Sequence, residues 1–95
     1  MPYIKAEDRP KILNKLKSLS MEIDSSGELN YTISKLIDLL MQKWGEKYEN
    51  YNAVMGVLTN VQFELYRRKV APYEDKKIAE NGDIYRNNKK AHEEE

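Results

Sequence analysis

The sequence predicts an all-α fold, a compact bundle of three main helices plus a short fourth, on three observations. Apolar residues recur every three or four positions in three long stretches. Each stretch is bounded by residues that start or stop helices. The only β-prone pieces, "PYIK" and "DIYRN", are short and lie near the two ends. Those two could pair as a tiny two-stranded ribbon joining the termini, although such a pair is marginal without a core beneath it. Residues 1–86 read as one helical domain and residues 87–95, "NNKKAHEEE", as a disordered charged tail.

The first stretch places Ile12, Leu13, Leu16, Leu19 and Ile23 on one stripe, with Lys11, Lys15 and Lys17 off it, and predicts a helix over 9–21. Asp8 is its expected N-cap and Pro10 stands in the first turn, where a missing N–H costs nothing. "DSSGE" breaks the pattern. Ser25 followed three residues later by Glu28 has the form of a capping box, so helix 2 is expected to begin near Ser26 and to stop at Gly45. Its buried stripe would be Leu29, Ile33, Leu36, Ile37, Leu40 and Trp44, widened by Leu39 and Met41, which suits a central helix.

The third stretch carries Tyr51, Val54, Leu58, Val61 and Leu65 in heptad spacing, with Asn50 or Asn52 as the expected cap. Met55 and Phe63 point elsewhere, towards a second apolar contact. Ala53 and Gly56, one turn apart, would let another backbone approach, which would explain a mid-helix glycine costing about 1 kcal/mol. Pro72 removes a helical hydrogen bond and disfavours helical geometry at Ala71, so the helix should kink or end there. "PYEDKKIAE" then reads as the short fourth helix, acids first and lysines after, stopped by Asn81-Gly82. Trp44, Tyr48 and Tyr51 are expected to close the core at the turn between helices 2 and 3.

Composition narrows the function. A chain of 95 residues buries only about 60–65 % of its unfolded surface. With 40 % hydrophobic and 34 % charged residues, a second copy could supply missing burial. A homodimer is therefore expected, through the heptad face of helix 3 or the apolar side of helix 2. There is no cysteine, which excludes disulfides, thiolate catalysis and Cys-based zinc sites. His92, the single histidine, stands in the charged tail and is not read as catalytic or as a metal ligand. The N-terminus lacks a signal-peptide layout and no apolar run reaches membrane-spanning length, so a cytoplasmic location follows by default and no membrane partner is expected. Zero net charge argues against a long nucleic-acid partner. No cofactor is implied.

The motifs "MPYI", "GELNY", "ELYRRKVAPYEDKKI" and "NGDIY" together resemble a family of small uncharacterised proteins from bacteria, archaea and phages, over nearly the whole chain. The family carries no assigned activity. What the resemblance implies is a set of polar positions that packing alone does not require: Glu28, Asn30, Tyr66, Arg67, Arg68, Tyr73, Glu74, Asp75, Lys76, Asn81 and Asp83.

Two chemical readings compete with a plain assembly role. Arg67, Arg68 and Lys69, with Lys76 and Lys77 past the proline and Tyr66 and Tyr73 among them, could hold phosphates and stack a base. The candidate ligand site is Tyr66, Arg67, Arg68, Tyr73, Lys76, Asn81 and Asp83, for a small nucleotide or anion; Glu74 and Asp75 stand inside it and could simply pair the arginines. The pairs Glu46/Glu49 and Glu80/Asp83 look like the paired acids of all-α nucleotide pyrophosphohydrolases, which hold Mg²⁺ from continuous helices. Gly45 and Asn81-Gly82 interrupt both pairs, so no metal or catalytic residue is assigned. The expected function is a non-catalytic binding or assembly module, with nucleotide or phosphate-ligand binding as the alternative and hydrolysis third.

Overall fold

The computed structural model describes residues 4–86. Among them every regular element is helical. A 3₁₀ turn at Ala6–Asp8 leads into α1 (Pro10–Ser20), α2 (Ser26–Trp44) and α3 (Tyr48–Leu65). A π turn at Tyr66–Val70 follows, and α4 (Ala71–Asn81) continues from it with no non-helical residue between. The contacts group into two units, Met1–Asn50 and Tyr51–Glu95.

In the first unit, Asp8 belongs to the 3₁₀ turn and does not cap α1. Arg9 takes that position without a side-chain capping bond, and its carbonyl accepts from the N–H groups of Ile12 and Leu13 at 3.1 and 2.8 Å. The capping box of α2 forms. Glu28 N–H donates to Ser25 Oγ at 3.1 Å, and Glu28 Oε1 accepts from Asp24 N–H at 2.8 Å. The carboxylate thus reaches one residue further back than the usual motif. Gly45 ends α2 with φ 110° and ψ 137°, a region only glycine enters at low cost, and its N–H donates to Met41 O at 2.8 Å.

Asn50 plays a different part from the one its sequence position suggests. Instead of capping α3, its Nδ2 donates to Gly45 O at 2.9 Å, which also accepts from Lys47 N–H at 2.9 Å, and to Trp44 O at 3.3 Å, a carbonyl at the end of α2. Asn52 sits inside α3. The expected burial also differs. Met41 is the only buried apolar residue among those described, and Ile37 and Leu40 are half-buried. Leu29, Ile33, Leu36 and Leu39 on α2 are exposed, as are Ile12, Leu13, Leu16 and Leu19 on α1. The two helices do not pack along one another; at the corner between them Leu19, Ile23, Tyr31 and Thr32 line a shallow hollow. Trp44 and Tyr48 are exposed, so no core closes around them.

In the second unit, residues 51–81 form an uninterrupted helical stretch. Tyr51, Leu58, Val61 and Leu65 of the heptad seam are exposed and Val54 is half-buried. Among the described residues, nothing beyond its chain neighbours and its own helix backbone lies within 4 Å of where a Cβ on Gly56 would be, so no second backbone approaches it there. Pro72 neither ends the helix nor opens a separate fourth one. Val70 and Ala71 keep right-handed helical angles, and Ala71 N–H donates to Tyr66 O, five residues back. Pro72 cannot donate to Arg68 O and its ring presses on that carbonyl. A turn widened by one residue relieves both problems without breaking the rod.

The stretch stops at Gly82 (φ 88°, ψ 153°), whose N–H donates to Ile78 O at 2.8 Å. Beyond it Asp83 Oδ1 accepts from Tyr85 N–H at 3.0 Å, a local turn in place of the expected strand. Of the ribbon's other half, "PYIK", residues 2 and 3 fall outside the described residues and Ile4 and Lys5 are not in a strand; the tail 87–95 with His92 lies wholly outside them.

Candidate functional site

The π turn sets the geometry of the polar stretch. Eight residues make 2.2 turns of α-helix, which would set Tyr66 and Glu74 about 80° apart. The wider turn takes up much of that offset and brings the Tyr66 hydroxyl towards the Glu74 carboxylate. Hydrogen bonding towards Glu74, the Glu74 charge, desolvation and the nearby Asp75 charge together hold the Tyr66 phenol above its ordinary pKa, because each favours the protonated form.

The chain's reversal at Gly82 brings residues 82–85 beside this face and leaves an open concavity of about 620 Å³. Of the candidate ligand residues, the structure brings Tyr66, Asn81 and Asp83 to its walls. Arg67, Arg68, Tyr73 and Lys76 are exposed and do not line it. Tyr73 instead lies under Lys77, whose Nζ is 5.7 Å from the ring centroid, and Lys77 also reaches Glu80 at 3.7 Å. The sharp turn at Ala71-Pro72 that would have folded the cationic cluster into a pocket does not occur, so the cluster is displayed along a helix surface. The charged groups lining the concavity are Glu74, Asp75 and Asp83 against Lys77. That balance suits a cation better than a phosphate.

The acid pairs are likewise separated by the glycine stops. Glu46 stands outside the helices and Glu49 in the first turn of α3, while Glu80 lies in α4 and Asp83 past Gly82. Neither pair sits one turn apart on a continuous helix. Among the described residues no group of three or more acidic, histidine or cysteine side chains is arranged to hold a metal ion. No helix among them is long and apolar enough to cross a membrane.

A family model described as a domain of unknown function, DUF6899, matches residues 1–84. The chain belongs to this family. The match spans α1 to α4 and the Gly82 reversal, so the capping box, the π turn and the concavity all lie within the family's domain apart from Tyr85. Comparison with curated proteins and with solved structures gave no match.

The feature sequence reasoning missed is Glu74 as the partner of Tyr66. The signal was present in the proline two residues before it, which forbids a regular α turn without forbidding a helix. The other missed residue is Asn50, whose amide serves as donor rather than acceptor.

Proposed function

We propose that this domain is an assembly module without chemistry of its own, which completes its hydrophobic core by pairing with a second copy to form a helical bundle. One observation carries the reading: 40 % of the chain is hydrophobic, yet Met41 is the only buried apolar residue among those described. Soluble monomers rarely leave apolar stripes of this kind uncovered, and burial is the main term that offsets chain entropy in a small domain. Phosphate-ligand binding at the Tyr/Arg cluster is the weaker reading, since Arg67, Arg68 and Lys76 do not line the concavity and acids outnumber bases there.

The test is size-exclusion chromatography with light scattering over a hundredfold range of protein concentration, paired with thermal denaturation at each. Assembly-coupled folding makes the melting temperature rise with protein concentration. A well-folded monomer whose melting temperature ignores concentration overturns the proposal.

A further inference from the structure

Asn81 and Gly82, which together stop α4, also form the one Asn-Gly pair in the chain; every other asparagine is followed by lysine, tyrosine, alanine, valine or a second asparagine. In such a pair the glycine nitrogen can attack the side-chain carbonyl carbon of the asparagine, because no β-carbon on the glycine obstructs the approach. Little shields this one. Both residues are exposed, and among the described residues nothing beyond the chain neighbours lies within 4 Å of where a Cβ on Gly82 would be. The glycine is itself fixed by the backbone, since φ 88° with ψ 153° disfavours any other residue, so the reactive pair comes with the helix stop.

The intact helix end restrains the reaction. Gly82 N–H donates to Ile78 O at 2.8 Å, and Asn81 is the last residue of α4. Closing a five-membered ring requires the nitrogen to give up its proton and Asn81 to leave helical geometry, and both become free when the last turn of α4 opens. That turn is weakly held. Its residues 78–81 are all exposed, and the ion pair between Lys77 and Glu80, 3.7 Å apart, joins two half-exposed side chains.

We propose that Asn81 is a site of spontaneous covalent modification, deamidation through a cyclic imide, gated by the opening of the last turn of α4 and needing only water. The Gly82 nitrogen bonds to Asn81 Cγ, and the side-chain amide nitrogen leaves as ammonia, carrying off the proton that Gly82 N–H gives up. Water then opens the imide at either of its two carbonyls. One opening leaves an aspartate at position 81; the other leaves an isoaspartate, whose main chain is longer by one carbon. Either product adds a carboxylate to the concavity that Glu74, Asp75 and Asp83 already line, and sets it at the negative end of α4. The isoaspartate also shifts Gly82 N–H away from Ile78 O, so the reversal at Gly82 is not restored. No second copy enters any step, so the site stands apart from the assembly proposed above.

The test incubates the whole chain in mildly alkaline buffer beside the same chain unfolded in guanidinium chloride. Tryptic cleavage after Lys77 and Arg86 isolates residues 78–86. Mass spectrometry then follows the conversion of amide to acid, and fragmentation separates aspartate from isoaspartate. The folded chain is expected to react about tenfold to a hundredfold more slowly than the unfolded one, the effect of opening a helix end alone. Asn52, inside α3, should stay intact over the same period, and Asn81→Gln, which would have to close a larger ring, should remove the product. Hydrogen exchange reads the gate without the reaction: the Gly82 amide should be protected by the same factor, and less than amides in the middle of α3. A folded chain that reacts as fast as the unfolded one, a Gly82 amide as protected as the middle of α3, or no product at Asn81 while the unfolded chain reacts overturns the proposal.

Discussion

Asn50→Asp separates two roles that a sequence cannot tell apart. As an N-cap acceptor for α3, asparagine could be replaced by aspartate at no cost, because both side chains accept equally well there. In the structure the amide donates to Gly45 O and Trp44 O at 2.9 and 3.3 Å, and a carboxylate has no proton to offer them. Losing two ordinary hydrogen bonds costs about 1–3 kcal/mol, towards the low end because the second is long. The new charge also faces the negative end of α2, an unfavourable effect of about 0.3–1 kcal/mol, while a gain of the same size is available from the start of α3. These dipole effects offset each other, leaving a net loss of about 1–2 kcal/mol. For a domain of this size that is a fall of roughly 5–15 °C in melting temperature.

Thermal denaturation followed by circular dichroism at fixed protein concentration measures it. The carboxyl faces two carbonyl oxygens in the fold, so its folded-state pKa is raised above the ordinary value of about 3.9. Its protonated form can donate again, so the deficit should be largest at neutral pH and shrink as pH falls through the raised value. A variant as stable as the parent at pH 7, or equally damaged at pH 3, would refute the donor role.

Three further outcomes are expected. Pro72→Ala restores the donor to Arg68 O and should let the π turn relax to α geometry; ultraviolet titration would then find the Tyr66 phenol back near its ordinary pKa, as it would in Glu74→Gln. Because that pKa is raised in the fold, the stabilisation from Tyr66 and Glu74 is present below about pH 10 and lost as pH rises through the folded value, so Glu74→Gln should match the parent at strongly alkaline pH. Gly82→Ala should destabilise by about 1–3 kcal/mol in thermal denaturation, because φ 88° with ψ 153° is a region essentially reserved for glycine. Gly56→Ala should stabilise by up to about 1 kcal/mol, since among the described residues nothing beyond its chain neighbours and its own helix backbone lies within 4 Å of the added Cβ; a loss would show that another backbone approaches there, as the spacing of Ala53 and Gly56 first suggested.

Which parts of this fold were legible in the sequence follows from how many conformations each signal permits. Ser25 and Glu28 satisfy each other's neighbouring backbone groups in one arrangement only, and the start of α2 at Ser26 follows from it. Gly45 and Gly82 mark helix ends because their positive φ excludes most other residues. Apolar periodicity revealed that α1, α2 and α3 each carry a stripe, but it is silent about what covers a stripe. Leu29, Ile33 and Leu36 read as core and are exposed in the chain by itself. Asn50 was ambiguous because an amide both donates and accepts.

Pro72 shows why the polar stretch was the hardest part to read. Proline forbids one hydrogen bond and crowds one carbonyl, constraints that a chain can meet by stopping, by kinking, or by admitting one extra residue into the preceding turn. The first two would have turned Arg67 and Tyr73 towards a shared hollow. The third keeps the rod continuous and rotates everything beyond it, so that Tyr66 meets Glu74 while Arg67, Arg68 and Lys76 remain outside the concavity. One residue of register decides whether bases or acids line that surface. The candidate site could be located from its residue types, but its charge could not be read without the geometry of the turn.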